Sequence, residues 1–422
     1  MLMALVRVLT DKFKGSEFAK NTAILALGTL TAQGITIATM PILSRLYSPA
    51  DFGQLAVFLA VSGIVATAIT LRFEAAILIP KDDDESKALV LLSAILATFF
   101  GSVAGLAAWL MPGSLKSIFG VSQLEEWLAV AVLCGVTTAL ITTGSNWYNR
   151  QRAYIKMATL RVTQSSIGAI LGISLGFWGF HAGMMLGQVV ASLIVTFMIV
   201  VGIRGIKANW RGHDFRTIVT NHKSSPKFLL PTSLLDVVTL QLPVLLISAW
   251  FSSEAAGQFS MAWKMLGIPS ALIGAAVGQV FLRQFSETWP DAPAARQLLF
   301  KTWKVLGLVG LVPTVLVVLF GEELFGLVLG EAWRGAGTVA MVIAPMLFAM
   351  LISSPTSGTF LVLGMQRHSL FFGIAVLIYR PICILFGLIG NNLMLGLAVW
   401  VIVELIQILI YQLLVVQRVY KV

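Results

Sequence analysis

The sequence predicts an all-α polytopic membrane protein, with about 12 transmembrane helices in two six-helix bundles related as parallel repeats. Three observations lead to this fold class: the composition, the length of the apolar runs, and a motif that recurs halfway along the chain. Of the 422 residues, 58% are hydrophobic and 11% are charged, whereas an ordinary globular domain has about 25% charged residues. This composition excludes a soluble enzyme, a disordered chain and a disulfide scaffold. It also disfavours a membrane β-barrel, whose strands are short and alternate in polarity.

Apolar runs of membrane-spanning length recur from end to end of the chain, since a transmembrane helix takes about 20 mostly apolar residues. The predicted spans of the first half are 21–44, 53–79, 87–110, 127–148, 157–178 and 183–203. The predicted spans of the second half are 228–250, 256–282, 299–319, 336–363, 369–389 and 393–416.

The formal net charge of +10 is interpreted as an orientation signal and not as a sign of nucleic-acid binding. With both termini placed in the cytoplasm, 22 of the 29 Lys and Arg residues fall on the cytoplasmic side and 3 on the opposite side. Cytoplasmic loops of membrane proteins carry such an excess. The count therefore supports twelve spans with both ends inside.

The predicted spans divide the chain into five parts. A short N-terminal amphipathic segment on the membrane surface precedes the first bundle, a basic cytoplasmic linker joins the bundles, and a cytoplasmic tail follows the second. The outer loops are short, and the longest are 111–126 and 320–335. The parts in chain order are 1–20, 21–203, 204–227, 228–416 and 417–422.

A motif before the second span recurs before the eighth, 204 residues later. The first copy is 44–54, SRLYSPADFGQ, and the second is 248–258, SAWFSSEAAGQ, so that Ser, an aromatic residue, Ser and Gly-Gln recur in register. Because each half has an even number of spans, both halves enter the membrane from the same side and form parallel repeats. Chance similarity of two short loops is the alternative.

Charged residues at membrane depth are costly, so they usually face a bundle interior or a wet cavity. Asp236 lies about 12 Å into the seventh span at 1.5 Å per residue, and Lys264 lies at a similar depth in the eighth. One interpretation is that the two neutralise each other. The other makes Lys264 a contact for an anion and Asp236 a site for a cation or proton.

Arg380 and Glu404 fall at nearly one depth in the hairpin of the last two spans, which favours a structural ion pair. Arg72 and Glu74, near the cytoplasmic end of the second span, are either a local pair with a snorkelling Arg or a phosphate contact at the mouth of a cavity. Arg161, near the start of the fifth span, is interpreted mainly as a snorkelling residue, with a place in the cavity lining as the alternative.

Arg45, on the outer side after the first span, contacts either a lipid headgroup or an anionic substrate. The acidic run 82–85 is interpreted as a solvated turn, because it lacks the ligand spacing of a metal site. Motifs for nucleotide hydrolysis, zinc proteases and serine hydrolases are absent from the sequence. No resident cofactor is predicted, and a coupling ion such as Na⁺ or H⁺ is left open.

The segment from Pro41 to Glu85 combines PILSRLYSPADFGQ, a long apolar span, and RFEAAILIPKDDDE. This segment resembles the polysaccharide biosynthesis and oligosaccharide flippase family (Wzx-like), within the multidrug/oligosaccharidyl-lipid/polysaccharide exporter superfamily. The second half is similar in style, with Pro231, a Gly-Gln-Phe-Ser turn at 257–260, and Gly-Gln-Val-Phe at 278–281. The resemblance extends over essentially the whole chain.

The resemblance implies a transporter and not an enzyme. It implies alternating access in a bacterial inner membrane, with transfer of an undecaprenyl-diphosphate-linked oligosaccharide for O-antigen, capsule or exopolysaccharide synthesis. It implies contacts to the diphosphate and sugar from Arg45, Arg72, Lys264 and Arg161, and ion coupling at Asp236 and Glu74. The implied partners are the lipid bilayer, a polysaccharide polymerase and a chain-length regulator, with no nucleic acid.

Two other functions are open at this point. A cation-coupled multidrug exporter of the same fold would favour an acidic cavity in the first bundle, yet the first and third spans hold no acid. A membrane polymerase or ligase of the same pathway would have a long outer loop with catalytic Arg or His, and the outer loops here are short.

Overall fold

The structure is a computed structural model that describes residues 17–110, 126–204 and 215–420. Almost all of these residues are helical, and none of them forms a strand. The described ranges contain twelve helices of 20 or more residues. The predicted all-α, polytopic fold class is therefore confirmed.

The helices of the first half follow the predicted spans in order. The N-terminal segment 1–20 and the outer loop 111–126 lie outside the described residues, apart from the first turn of α1 and the residue at 126. The helices are α1 (Glu17–Leu46), α2 (Pro49–Ile69), α3 (Phe73–Ala76), α4 (Asp83–Leu110), α5 (Leu128–Arg150), α6 (Tyr154–Phe177), α7 (Gly183–Gly202) and the short α8 (Phe215–Asn221).

The second half contains the longest helices of the chain. A π-helical segment (Ser225–Leu229) leads into it, and 3₁₀ turns at Glu331–Trp333 and Ser354–Thr356 interrupt it. Its helices are α9 (Leu230–Trp250), α10 (Ser253–Thr288), α11 (Ala292–Leu329), α12 (Arg334–Ser353), α13 (Thr359–Val362), α14 (Gln366–Ile389) and α15 (Leu393–Tyr420).

Eleven helical segments among the described residues are long and apolar enough to cross a membrane. The predicted fifth span, α6, is long enough but is not among them. This helix carries Lys156, Arg161 and several hydroxyl residues, so it is less apolar than its neighbours. The chain is therefore a multi-pass membrane protein.

The chain divides into two compact units. Of the described residues, those up to 47 and from 55 to 238 form the first unit, and those from 48 to 54 and from 239 onward form the second. The boundary at 238/239 lies within α9, and the start of α2 belongs with the second unit.

The first unit packs α1 and α7 against α6, and α4 and α7 against α5. At one end, a core of buried apolar side chains joins α3, α4, α5 and α7 with α8. Ile218 of α8 is 1% exposed in this core, and His222 Nε2 lies 3.0 Å from Glu85 Oε1 of α4. The described part of the predicted linker, 215–227, is thus folded onto the first unit.

The second unit packs α11, α10 and α15 against α12, with α14 against α15. The first turns of α2 and α10, which both belong to this unit, show the structural role of the repeated motif. Ser48 Oγ accepts a hydrogen bond from Asp51 N at 3.2 Å, and Ser252 Oγ accepts one from Ala255 N at 3.0 Å. Serine at this position satisfies one of the free N–H groups of the first turn. The motif therefore starts α2 and α10 in the same way.

The structure differs from the predicted spans in three places. The second span is not continuous to 79, because α2 ends at Ile69. The predicted outer loop 320–335 is mostly helical, since α11 continues to Leu329 and α12 begins at Arg334. The tenth span breaks at Ser354–Thr356, where Pro355 cannot donate to the helix ladder.

Candidate functional site

The break after α2 brings Arg72 and Glu74 together. Leu71 and Arg72 adopt left-handed backbone conformations, with φ of 50° and 63°. This conformation is uncommon for residues other than Gly and is held in place here by tertiary contacts. Arg72 Nη1 lies 2.9 Å from Glu74 Oε1, and the amide of Asn146 on α5 donates to the Glu74 carbonyl at 2.9 Å.

The Arg72–Glu74 pair is incompletely satisfied. The Glu74 side chain is 3% exposed and that of Arg72 is 29% exposed, so the guanidinium reaches accessible space while the carboxylate does not. Glu74 Oε2 and Arg72 Nε are both buried and make no hydrogen bond among the described residues. Buried polar groups of native proteins are almost always paired, so this strained turn has capacity for a further polar partner.

Lys264 lies on α10, beside a cavity of about 370 Å³ within the second unit. Its side chain is half-buried, and within that unit it makes no hydrogen bond or ion pair with a described residue. The cavity runs between α10 and α12, and it is lined by Trp263, Gly267, Ile268, Ser270, Ala271, Leu347, Met350, Leu351 and Ser354 in addition to Lys264. No carboxylate is among these lining residues.

Arg380 and Glu404 form a buried pair between α14 and α15. Arg380 Nη2 lies 2.8 Å from Glu404 Oε1, and Arg380 Nε donates to Glu404 Oε2 at 3.2 Å. The hydroxyl of Tyr379 and the indole N–H of Trp400 also donate to Glu404 Oε2, at 2.6 and 2.8 Å. Such bidentate pairing compensates the desolvation of both charges.

The Arg380 guanidinium also donates a hydrogen bond to the backbone of α9. Pro243 lies inside this helix and has no N–H, so the Thr239 carbonyl four residues earlier lacks its helical donor. Arg380 Nη1 donates to that carbonyl at 3.3 Å. Membrane helices tolerate proline where a neighbouring group satisfies the freed carbonyl. Arg380 thus links α9 to α14 and α15.

A stack of aromatic rings connects this network with the Lys264 cavity. The Trp400 ring lies under the Arg380 guanidinium at 5.3 Å and is stacked against Trp263 at 5.9 Å. Trp263 is itself a wall of the cavity. This wall of the cavity is therefore packed against the Glu404 network.

The other predicted site residues lie apart from these two places. Arg45 and Arg72 stand at opposite ends of α2, about 30 Å apart at 1.5 Å per residue. Arg45 Nη1 donates to the Pro41 carbonyl at 2.8 Å. Arg161 is exposed and donates to Thr29 Oγ1 of α1. Asp236 is exposed on α9 and makes no hydrogen bond or ion pair within the described part of its own unit.

Sequence reasoning paired Arg380 with Glu404 and gave Arg72 and Glu74 as a possible local pair, but it missed the neutral side chains around these charges. No sequence motif marks these side chains. They are Trp263 and Ser354 of the cavity, Tyr379 and Trp400 of the Glu404 network, and Asn146, which bonds to the Glu74 carbonyl. Pro243 was a usable signal, because a proline within a helix implies a freed carbonyl four residues earlier. No group of three or more His, Cys, Asp or Glu residues among the described positions is arranged to hold a metal ion.

The number, length and composition of the helices define a multi-pass membrane protein. A family model described as "Polysaccharide biosynthesis protein" matches residues 42–355. The chain therefore belongs to this family of polysaccharide biosynthesis proteins, and the predicted resemblance is confirmed.

Individual relatives agree with this assignment. The chain is 23% identical over 345 residues to the succinoglycan biosynthesis transport protein ExoT of Rhizobium meliloti (strain 1021), covering 79% of this chain and 67% of ExoT. Its fold is similar to that of the lipid II flippase MurJ in an inward closed conformation (TM-score 0.69, 12% identity, 92% of this chain and 86% of MurJ).

The fold is also similar to that of a multidrug resistance MATE family transporter of the MOP superfamily in an inward-facing conformation. That match has a TM-score of 0.63 and 17% identity, and covers 94% of this chain and 96% of the MATE transporter. These relatives are transport proteins, so the comparisons support the expectation of a transporter and not an enzyme.

Proposed function

We propose that this protein is a flippase that moves an undecaprenyl-diphosphate-linked oligosaccharide across the bacterial inner membrane by alternating access. The product would supply a surface polysaccharide: O-antigen, capsule or exopolysaccharide. The single observation that carries the proposal is the lysine at membrane depth, Lys264, beside a cavity whose lining residues include no carboxylate. The family match and the transport role in the name of ExoT support the same class of substrate.

The physical argument concerns charge. A diphosphate cannot cross about 30 Å of hydrocarbon unaided. A cation held at depth lowers the cost of bringing the anion inside, while the prenyl chain remains in lipid. Lys264 is proposed as one phosphate contact, and Arg72, whose guanidinium is accessible and whose Nε lacks a partner, as another. Arg45 and Arg161 are proposed as contacts along the path.

Coupling to an ion is proposed at the acidic residues of the first unit. Glu74 holds one unsatisfied buried carboxylate oxygen, and Asp236 is exposed on a membrane-spanning helix. Both can take up a proton or Na⁺. An anion that binds Arg72 competes with Glu74 for the guanidinium, and this competition would link substrate binding to the binding of a coupling ion at Glu74.

The proposed orientation has both termini in the cytoplasm, as the excess of basic residues on that side favours. A polysaccharide polymerase and a chain-length regulator are proposed as functional partners, because the translocated unit must be polymerised on the far side of the membrane.

The test uses a strain that lacks the gene and carries a plasmid copy. We expect Lys264→Ala to abolish surface polysaccharide while the protein remains in the membrane at its normal level. The matched control is Lys304→Ala, an exposed lysine on α11, which should support normal polysaccharide. Normal polysaccharide in the Lys264→Ala strain would contradict the proposal.

A second candidate is a cation-coupled multidrug exporter, because the fold is shared with a MATE family transporter. Drug cations would be repelled by Lys264, so this candidate predicts acidic contacts such as Asp236. Drug-resistance profiles of the deletion strain distinguish the two, since the flippase predicts a loss of polysaccharide with no change in resistance to cationic drugs.

A further inference from the structure

The described end of the linker is fixed on the first unit by one of its faces. Ile218, His222 and Ser225 are all buried, and they are spaced four and three residues apart, as on one side of a helix. The backbone N–H of His222 donates to the Ile218 carbonyl at 3.1 Å, and that of Ser225 donates to the His222 carbonyl at 3.0 Å. The opposite face of this segment is therefore presented in a defined position.

The opposite face is basic. Arg216, Lys223 and Lys227 are exposed, with the exposed Thr220 between the first two. Steps of four, three and four residues place all four side chains on one side of a helix. The sequence from 215 to 229 contains no acidic residue, and the three cations make no ion pair with a described residue of the first unit. We call Arg216, Lys223 and Lys227 the basic face.

The acidic run 82–85, at the same end of the first unit, does not neutralise the basic face. Three carboxylates of the run are paired with other side chains, and the fourth residue, Asp82, accepts from the Asp84 backbone N–H at 3.1 Å. The pairs are Asp83 with Arg150 at 2.9 Å, Asp84 with Lys87 at 2.6 Å, and Glu85 with His222 at 3.0 Å. The basic face therefore keeps its charge for a partner outside this unit.

Exposed apolar side chains adjoin the basic face where the membrane-spanning segment Ser225–Trp250 begins. Phe228 is 60% exposed and Leu229 is 40% exposed, and Lys227 Nζ lies 5.1 Å from the centre of the Phe228 ring. Basic and aromatic side chains at the end of a membrane helix lie at the level of the lipid headgroups. A nucleic acid or an acidic protein would match the charges only, whereas an anionic lipid surface matches both the charges and the apolar side chains.

We propose that the basic face is a docking surface for anionic phospholipid headgroups. The lipid phosphates accept from Arg216, Lys223 and Lys227, and the acyl chains cover Phe228 and Leu229. The excess of basic residues that orients a membrane protein explains the sign of these charges but requires no alignment on one face. Polybasic segments next to a membrane helix bind anionic lipids in this way. The assignment does not depend on the proposed flippase function.

The test measures amide hydrogen exchange over 215–229 in the full-length protein. The protein is placed in nanodiscs of phosphatidylcholine alone and in nanodiscs of equal parts phosphatidylcholine and phosphatidylglycerol. We expect phosphatidylglycerol to slow this exchange at least fivefold, since each basic residue near an anionic surface contributes about fivefold to binding. Glycerol 3-phosphate added to the phosphatidylcholine nanodiscs should have no effect, because it has no acyl chain to cover Phe228.

A charge-matched pair of variants locates the effect. Each triple variant removes three exposed cations, one set from the basic face and one set from the second unit. The first should lose the protection by phosphatidylglycerol, and the second should keep it. The variants are Arg216→Gln/Lys223→Gln/Lys227→Gln and the control Lys301→Gln/Lys304→Gln/Arg418→Gln.

A salt series on the wild-type protein gives a result even if the first variant does not fold. High salt screens exposed charges, so it should remove the protection by phosphatidylglycerol. Equal exchange in the two kinds of nanodisc, protection by glycerol 3-phosphate alone, or protection that is insensitive to salt would each overturn the assignment. Protection that persists in the basic-face variant, or that is lost in the control variant, would also overturn it.

Discussion

Gly53 and Gly257, which occupy the same position in the two sequence repeats, pack backbone against backbone. A β-carbon on Gly53 would overlap the carbonyl oxygen of Ser253, and one on Gly257 would overlap the carbonyl oxygen of Pro49. The contact is reciprocal, as in an isologous interface, where the same patch is used on both sides. The close approach explains why Gly recurs at this position of the two motifs.

We expect Gly53→Ala to lower the free energy of unfolding by about 1–3 kcal/mol, because the added methyl group forces two backbones apart. The matched control is Gly34→Ala on α1, where a β-carbon would meet nothing within 4 Å. Alanine is the better helix former, so this control should be equal to the wild type or more stable. Thermal unfolding in detergent measures both. Equal stability of Gly53→Ala and Gly34→Ala would show that the close approach has no energetic role.

The buried pair of Arg380 and Glu404 predicts a specific pattern of rescue. We expect each single Ala variant to lower the abundance of the protein in the membrane, since it leaves one charge buried and unpaired at a cost of about 3–5 kcal/mol. The exchanged double variant should be rescued only in part, because the Trp400 indole N–H can only donate and would face an arginine, and the Tyr379 hydroxyl would have to change from donor to acceptor. No rescue at all would count against the pair.

The link between Arg380 and α9 can be isolated through Pro243. In the wild type, Arg380 Nη1 donates to the Thr239 carbonyl. In Pro243→Ala, the restored backbone N–H at position 243 can donate to that carbonyl instead. We therefore expect Arg380→Lys to destabilise the Pro243→Ala protein less than it destabilises the wild type. A double-mutant cycle on thermal stability measures this difference. Additive effects would mean that the Arg380–Thr239 contact contributes nothing.

Arg150 at the end of α5 holds the turn between α3 and α4. Its guanidinium donates to the carbonyls of Ile77, Pro80 and Lys81 and to the Asp83 carboxylate. Lysine cannot reproduce this planar fork, so Arg150→Lys should increase amide hydrogen exchange over 77–83.

The control for Arg150 is Arg152→Lys. Arg152 is an exposed arginine two residues later that makes no side-chain hydrogen bond among the described residues. Hydrogen exchange over 77–83 should be unchanged in this variant. Equal amide hydrogen exchange over 77–83 in the Arg150→Lys and Arg152→Lys proteins would contradict the role given to Arg150.

Hydropathy alone predicted the helical class and the order of the spans, because each membrane helix must satisfy its own backbone within one apolar segment. Helical rise is also a local property. It was enough to predict that Arg380 and Glu404 lie at one depth, and in the structure they are 2.8 Å apart. The motif at 44–54 and 248–258 predicted a repeat, and in the structure a Ser cap starts a helix in both copies.

The contacts that define the candidate sites were decided by tertiary structure. Nothing in the apolar run of α2 marks the break after Ile69, where left-handed residues are held by contacts such as that of Asn146, 72 positions from Glu74. The cavity beside Lys264 is likewise formed by two helices that are distant in sequence. Hydropathy and helical rise act between near neighbours, whereas the partner of a buried charge is set by packing between distant segments.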